Sequence, residues 1–278
     1  MVSVGTVWDR AVDFVRDHLG AVMPVLLVTQ FAAPAISGSL AGVRADATGG
    51  TAVGLGLLSV ATTILSLWGA LYLVGFAAQP TGREDRYAAM RIAKNRFLPL
   101  IGISIVVLVV LGILALPGIL LAVASGIDLA AIANGSTMQP SELGRLGSAL
   151  LYFLAFAIFI LWLSARLLPI NAVVAMERRG LGAFGRAFAL TRGMTWKLIG
   201  LILLYAIVAG IAVSAAQFVF GAVAALIFGD SSGLSVAAIG GAVAVAAVSA
   251  VLALYQSAFI GKLYRAVIGE QDDVAVFA

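Results

Sequence analysis

Six apolar runs, at roughly 20–41, 53–78, 98–124, 147–176, 197–228 and 234–261, occupy most of this chain. As helix, each reaches the ~20 residues needed to cross a hydrocarbon core about 30 Å thick. A helix buried in a soluble core has a shorter run, of about 10–14 residues. Arg166 is the one charge inside a run, and Lys197 stands at the edge of the fifth. Of the 278 residues, 62% are hydrophobic and 11% charged. A soluble domain carries about 25% charged residues, so this chain cannot cover itself with polar surface. The expected fold is all-α: a polytopic protein with six transmembrane helices in a single membrane domain, 1–278.

The loops alternate in charge. Fourteen of the 17 Lys and Arg lie at the N-terminus, in 79–97, in 177–197 and at the C-terminus, while the intervening loops hold only Arg44 and Arg145. Lys and Arg accumulate on the cytoplasmic side, which places both termini in the cytoplasm. The net charge of +4 is spread along membrane edges, as orientation alone requires, and predicts no nucleic-acid partner. Residues 20–36, behind Arg10 and Arg16, have the polarity of a secretory leader. The apolar run continues to about 41 behind a charged amphipathic segment, so it reads as an uncleaved first span.

Before spans 1, 3 and 5 the text is self-similar: RAVDFVRDHLGAVMPVLLV from Arg10, AAMRIAKNRFLPLIGISIV from Ala88 and RAFALTRGMTWKLIGLILL from Arg186. Arg16, Lys94 and Arg192 coincide, as do Ala11, Ala89 and Ala187. Leu67–Trp68, Leu161–Trp162 and Leu254–Tyr255 mark the returning helices. The pattern predicts three repeats, 1–79, 80–178 and 179–278, each an interfacial helix plus a transmembrane hairpin. The units would share one orientation about an axis along the membrane normal. Chance matching of apolar text under a positive-inside bias is the competing explanation. In the first amphipathic segment Val4, Val7, Trp8, Ala11, Val12, Val15 and Leu19 recur at helical spacing, which suits a helix lying in the headgroup plane, apolar side down. Small residues predict helix contacts in lipid: Gly210, Ser214, Gly221 and Ala225 in span 5, and Gly240, Ala244, Ala247 and Ala250 in span 6.

Little here can do chemistry. There is no cysteine and one histidine, His18, which excludes thiolate metal sites, disulfides and paired-histidine ligation. Gly229-Asp230-Ser231-Ser232-Gly233 has nucleophile-elbow spacing but joins two spans, where a real elbow follows a strand. Its side of the membrane is opposite His18. Asn134-Gly135-Ser136 is a glycosylation sequon on an outward loop. No catalytic residue, cofactor or metal follows, and the chain is expected not to be an enzyme.

Arg166 is the exception. An Arg near the bilayer centre costs about 3 kcal/mol or more unless it snorkels or pairs. Two arrangements satisfy it: reaching the inner headgroups, or facing the bundle to hold Glu177, a carbonyl or a lipid phosphate. Eleven residues return to nearly the same helix face but span ~16 Å, too far for a bond unless the helix breaks at Pro169. Pro24, Pro34 and Pro117 are further kink sites. Thr29, Gln30, Thr62, Thr63, Asn171, Gln217 and Gln256 read as helix–helix hydrogen bonds.

Arg166–Gly200 resembles a bacterial membrane-domain family that carries Arg…Pro…Glu, then Ala-x-x-Leu-(Thr)-x-Gly-x-x-Trp before a span. The family takes its name from fusion to some glycerophosphoryl diester phosphodiesterases, and related stand-alone six-helix inner-membrane proteins look similar. Matching positions are Arg166, Pro169, Glu177, Ala187, Leu190, Thr191, Gly193 and Trp196. The resemblance implies a bacterial cytoplasmic-membrane protein. It carries no esterase over, because the fused enzyme is a separate soluble barrel.

The expected function is that of a non-enzymatic inner-membrane protein in envelope or lipid homeostasis. Its partners would be membrane lipids, another membrane protein or a second copy. The expected lipid or ion-pair residues are Arg166, Glu177, Arg16, Lys94 and Arg192, with Pro169, Gly193 and Trp196 as motif residues. The alternative is a transporter or channel whose cavity, on the pseudo-threefold axis, is lined by Arg166, Asn171 and other polar residues.

Overall fold

The structure, a computed structural model, describes residues 3–80, 82, 84–125, 147–177, 179–228 and 236–276. Its helices are α1 (Val4–Leu26), a π-helical turn (Leu27–Ala32), α2 (Ala33–Ser39), α3 (Ala41–Asp46), α4 (Gly49–Ala77) and α5 (Arg86–Ala124). Then come α6 (Gly147–Leu167), α7 (Ile170–Glu177), α8 (Gly182–Leu190), α9 (Thr195–Phe228) and α10 (Val236–Val276). Among the described residues, six segments are long and apolar enough to cross a bilayer: Val4–Ser39, Gly49–Ala77, Arg86–Ala124, Gly147–Glu177, Thr195–Val223 and Val236–Gly269. The chain is a multi-pass helical membrane protein, without strands among the described residues. Helices dominate because each satisfies its own backbone where no water can.

The breaks have local causes. Pro24 has no amide to donate, and the π turn opens three residues after it. Pro34 follows the π turn inside a rod that stays helical from Val4 to Ser39, and it removes one donor to the preceding turn. Pro169 separates α6 from α7. Pro117 sits inside an unbroken α5.

The amphipathic segments require a correction. Only the third is a separate helix, α8; the first two run unbroken into their spans as α1 and α5. The cause is one residue. Gly193 has φ +84, a left-handed conformation that ends a helix, whereas Asp17 and Asn95 occupy that register in the other copies. Nor is the first apolar face left to lipid. Val7, Ala11, Phe14 and Val15 are buried in the protein. Trp8 stacks on Tyr255 with ring centroids 6.1 Å apart. Contacts along α10 run from Tyr255 and Phe259 at Trp8 to Lys262 at Phe14, then back to Ala242 at Gly38. The rod therefore changes direction relative to α10 between Phe14 and Gly38.

Burial is concentrated at one end of the bundle. It takes in residues 71–77 of α4 and Ala78 after it, 172–175 of α7, and 257–264 of α10, with the alanines Ala89, Ala93, Ala183 and Ala187. The other helix ends expose large apolar side chains, among them Leu57, Leu108 and Phe218. The packed end adjoins the 79–86 and 177–182 connections, where water lies on one side and apolar burial is driven. Deep in lipid that drive is absent, and helices meet only where shapes fit.

The fit uses other glycines than the sequence indicates. A Cβ on Gly261 would lie 2.6 Å from the Ala77 Cβ and 2.8 Å from backbone atoms of Ala77 and Ala78, so α4 and α10 touch backbone to backbone. A Cβ on Gly69 would overlap the Thr29 side chain. The expected contacts at Gly210, Gly221 and Gly240 do not form, since a Cβ at each points into open space. Ala250 is buried, as expected, but Ala247 is exposed.

The three aligned segments share a burial register. Ala11, Ala89 and Ala187 are each 0% exposed, and Val22, Leu100 and Leu198 are each 3% exposed or less. Arg16, Lys94 and Arg192 are all exposed.

Candidate functional site

Arg166 ends α6 just before the Pro169 break and turns toward the α8–α9 junction. Its Nη1 donates to the Thr191 hydroxyl at 3.4 Å and the Thr195 hydroxyl at 3.5 Å, both at the long end of the range. The guanidinium carbon lies 4.9 Å from the Phe188 ring centroid and 5.9 Å from that of Trp162, an attraction of about 0.5–2 kcal/mol. The Nε is fully buried without a hydrogen-bond partner. Thr191 is itself buried and donates to the Ala187 carbonyl at 2.9 Å. Thr195 opens α9, whose first-turn amides carry partial positive charge. The arrangement is a cationic fork with two hydroxyls beside it and no acidic partner among the described residues.

An Arg166–Glu177 pair, one of the arrangements left open by the sequence, does not form. Glu177, ending α7, accepts from Arg186 Nε at 2.9 and 3.1 Å and from the Tyr264 hydroxyl at 3.2 Å. Arg179 lies 3.2 Å away but is more than half exposed. The break at Pro169 redirects α7, so Glu177 ties α8 and α10 together instead of reaching back along α6.

The motif residues thus divide. Pro169 breaks the helix, Gly193 supplies the left-handed turn, Ala187 and Leu190 are buried, and Thr191 accepts from Arg166. Trp196 is 83% exposed. Arg16 on α1, Lys94 on α5 and Arg192 in the turn between α8 and α9 are exposed, and their side chains make no ion pair or hydrogen bond with a described residue.

One charged pair has no counterpart in the sequence reading. Lys262 Nζ lies 3.2 Å from Glu84 Oε1, with both side chains almost fully buried, and 4.5 Å from the Phe14 ring centroid. The Gly82 amide donates to Glu84 Oε2 at 2.7 Å. Burial acts to raise the Glu84 carboxyl, but hydrogen bonds from backbone amides and the Lys262 ammonium outweigh it and hold the pKa below its usual value. Gln79 and Asp85 close the same connection through paired bonds of 3.0 and 2.7 Å. Positive-inside counting treats Lys262 as one more surface cation and gives no sign of this burial.

Several polar residues inside the spans are helix-packing groups. Gln30 donates to the Ser66 carbonyl at 2.7 Å, and Ser66 to the Thr29 carbonyl at 2.8 Å. Thr62 and Thr63 bond within their own helix, to Ser59. A groove of about 440 Å³ lies between α1, α9 and α10, and neither Arg166 nor Asn171 lines it. No cluster of His, Asp or Glu suited to a metal occurs among the described residues. The Asn134 sequon, the 229–233 string, Arg83, Arg145 and Arg178 lie outside the described residues.

No family model, curated protein or solved structure matches the chain.

Proposed function

We propose that this protein is a non-enzymatic lipid-binding protein of the bacterial cytoplasmic membrane, with both termini in the cytoplasm, and that Arg166 holds a lipid phosphate. The observation that carries the reading is the unpaired state of Arg166. It sits inside the span Gly147–Glu177, and the carboxylate within sequence reach is committed to Arg186 and Tyr264. A guanidinium at membrane depth needs an anion, and in a bilayer the abundant anion is the lipid phosphate. Guanidinium forks match phosphate oxygens, and the start of α9 adds to the attraction. The resemblance to the membrane-domain family supports the same reading, because two of the matching positions, Arg166 and Thr191, meet here.

Native mass spectrometry of the full chain with phosphatidylglycerol tests it. Arg166→Gln should weaken lipid retention about tenfold, equivalent to ~1.4 kcal/mol. Arg91→Gln, at an exposed site on α5, should leave it unchanged. Arg166→Lys should fall between, keeping charge without the fork. Equal retention by all three variants overturns the assignment.

A further inference from the structure

We infer that the groove between α1, α9 and α10 is a second lipid site, which takes the acyl chain of a phospholipid and reads an amine headgroup through Asp9. The site is separate from Arg166. Its volume of about 440 Å³ falls in the ~300–1,000 Å³ range of ligand cavities. Leu204 and Val208 of α9, Phe259 of α10 and Trp8 of α1 form apolar walls. The α9 and α10 walls belong to the spans Thr195–Val223 and Val236–Gly269. What meets such a groove from outside is therefore hydrocarbon rather than water. Trp8 and Tyr205, both in its lining, are residue types that favour the headgroup level of a bilayer.

The polar groups give the groove a sign. Tyr205 donates to Gln256 Oε1 at 3.4 Å, so those two are engaged with each other. Asp9 lines the groove, is exposed, and makes no ion pair or hydrogen bond with a described residue. A free carboxylate beside an apolar cleft favours a cationic headgroup over an anionic one. Lys197 lies one and two turns before Leu201 and Tyr205 on the same face of α9. It sets a cation at the end of that wall for the phosphate. A primary ammonium, a phosphate and an apolar chain together describe a phosphatidylethanolamine-type lipid.

Gly5 provides the test. It lines the groove, and a Cβ there meets only the Ser3 Oγ at 3.8 Å, so a larger side chain fits without displacing α1. Full-chain protein is presented with equimolar phosphatidylethanolamine and phosphatidylglycerol of identical chains, and retained lipid is counted by native mass spectrometry. Wild type should favour the ethanolamine lipid by about tenfold. Asp9→Asn should abolish the preference, and Gly5→Phe should remove the ethanolamine lipid; Val208→Trp gives a second way to fill the groove. Lipid held at Arg166 does not alter the comparison, because both lipids carry the phosphate. A wild type without preference, a preference that survives Asp9→Asn, or retention untouched by both groove-filling variants overturns the site.

Discussion

Charge at the residue scale divides into pairs and a remainder. Glu84 and Lys262 neutralise each other in the packed end. Removing one partner leaves a buried charge, at a cost of about 3–5 kcal/mol, while replacing both is far milder. Lys262→Met should therefore lower the melting temperature in detergent much more than Glu84→Gln/Lys262→Met does. The pair also sets a pH response. The Glu84 pKa is lower folded than unfolded, so its contribution is complete above the ordinary Glu value of about 4.3. It is lost as pH falls through the depressed folded value. Melting curves from pH 7 to pH 3 should show this loss in wild type, and the double variant should lack that component. Neither partner was legible as buried. Each stands among charges in the sequence, and only the approach of the 79–86 connection to α10 brings them together. Arg166 was legible as unusual because it interrupts an apolar run, but its surroundings were not. Phe188 and Thr191 come from the far side of two helix breaks, and Thr195 from the far side of a third.

Among the elements, glycines decide where helices stop and where they touch. Gly193 stops one: its φ of +84 is costly for a side chain, by about 1–2 kcal/mol. Gly193→Ala should lose roughly that much stability and Gly193→Asn less, since Asn tolerates the left-handed region. Equilibrium unfolding in mixed micelles measures both. Gly261 makes a contact, because α4 backbone lies within 2.8 Å of where its Cβ would be. Gly261→Leu should reduce folded yield severely, while Gly240→Leu, pointing into open space, should behave as wild type in size-exclusion chromatography. From sequence the two are indistinguishable, since both are glycines in apolar helices. The amphipathic segments teach the same lesson. Their periodicity marked an apolar face, but a face can meet lipid or protein, and for α1 it is protein.

For the whole molecule, the absence of cysteine makes orientation directly testable. A single cysteine at Ala47 should react with an impermeant maleimide in intact cells. One at Arg91, on the side with the excess of Lys and Arg, should react only after lysis. The reverse pattern inverts the topology. Six spans, helical throughout, were set by the sequence alone, because the requirement is local: twenty apolar residues in lipid must hydrogen-bond to themselves. The burial register shared by the three aligned segments was also written there, in the small residues Ala11, Ala89 and Ala187. Only the tertiary structure decided which charges are paired, which glycines carry contacts, and where a cleft is left between α1, α9 and α10. Those outcomes depend on which faces meet, and in lipid every apolar face is equally at ease, so hydropathy cannot choose among them.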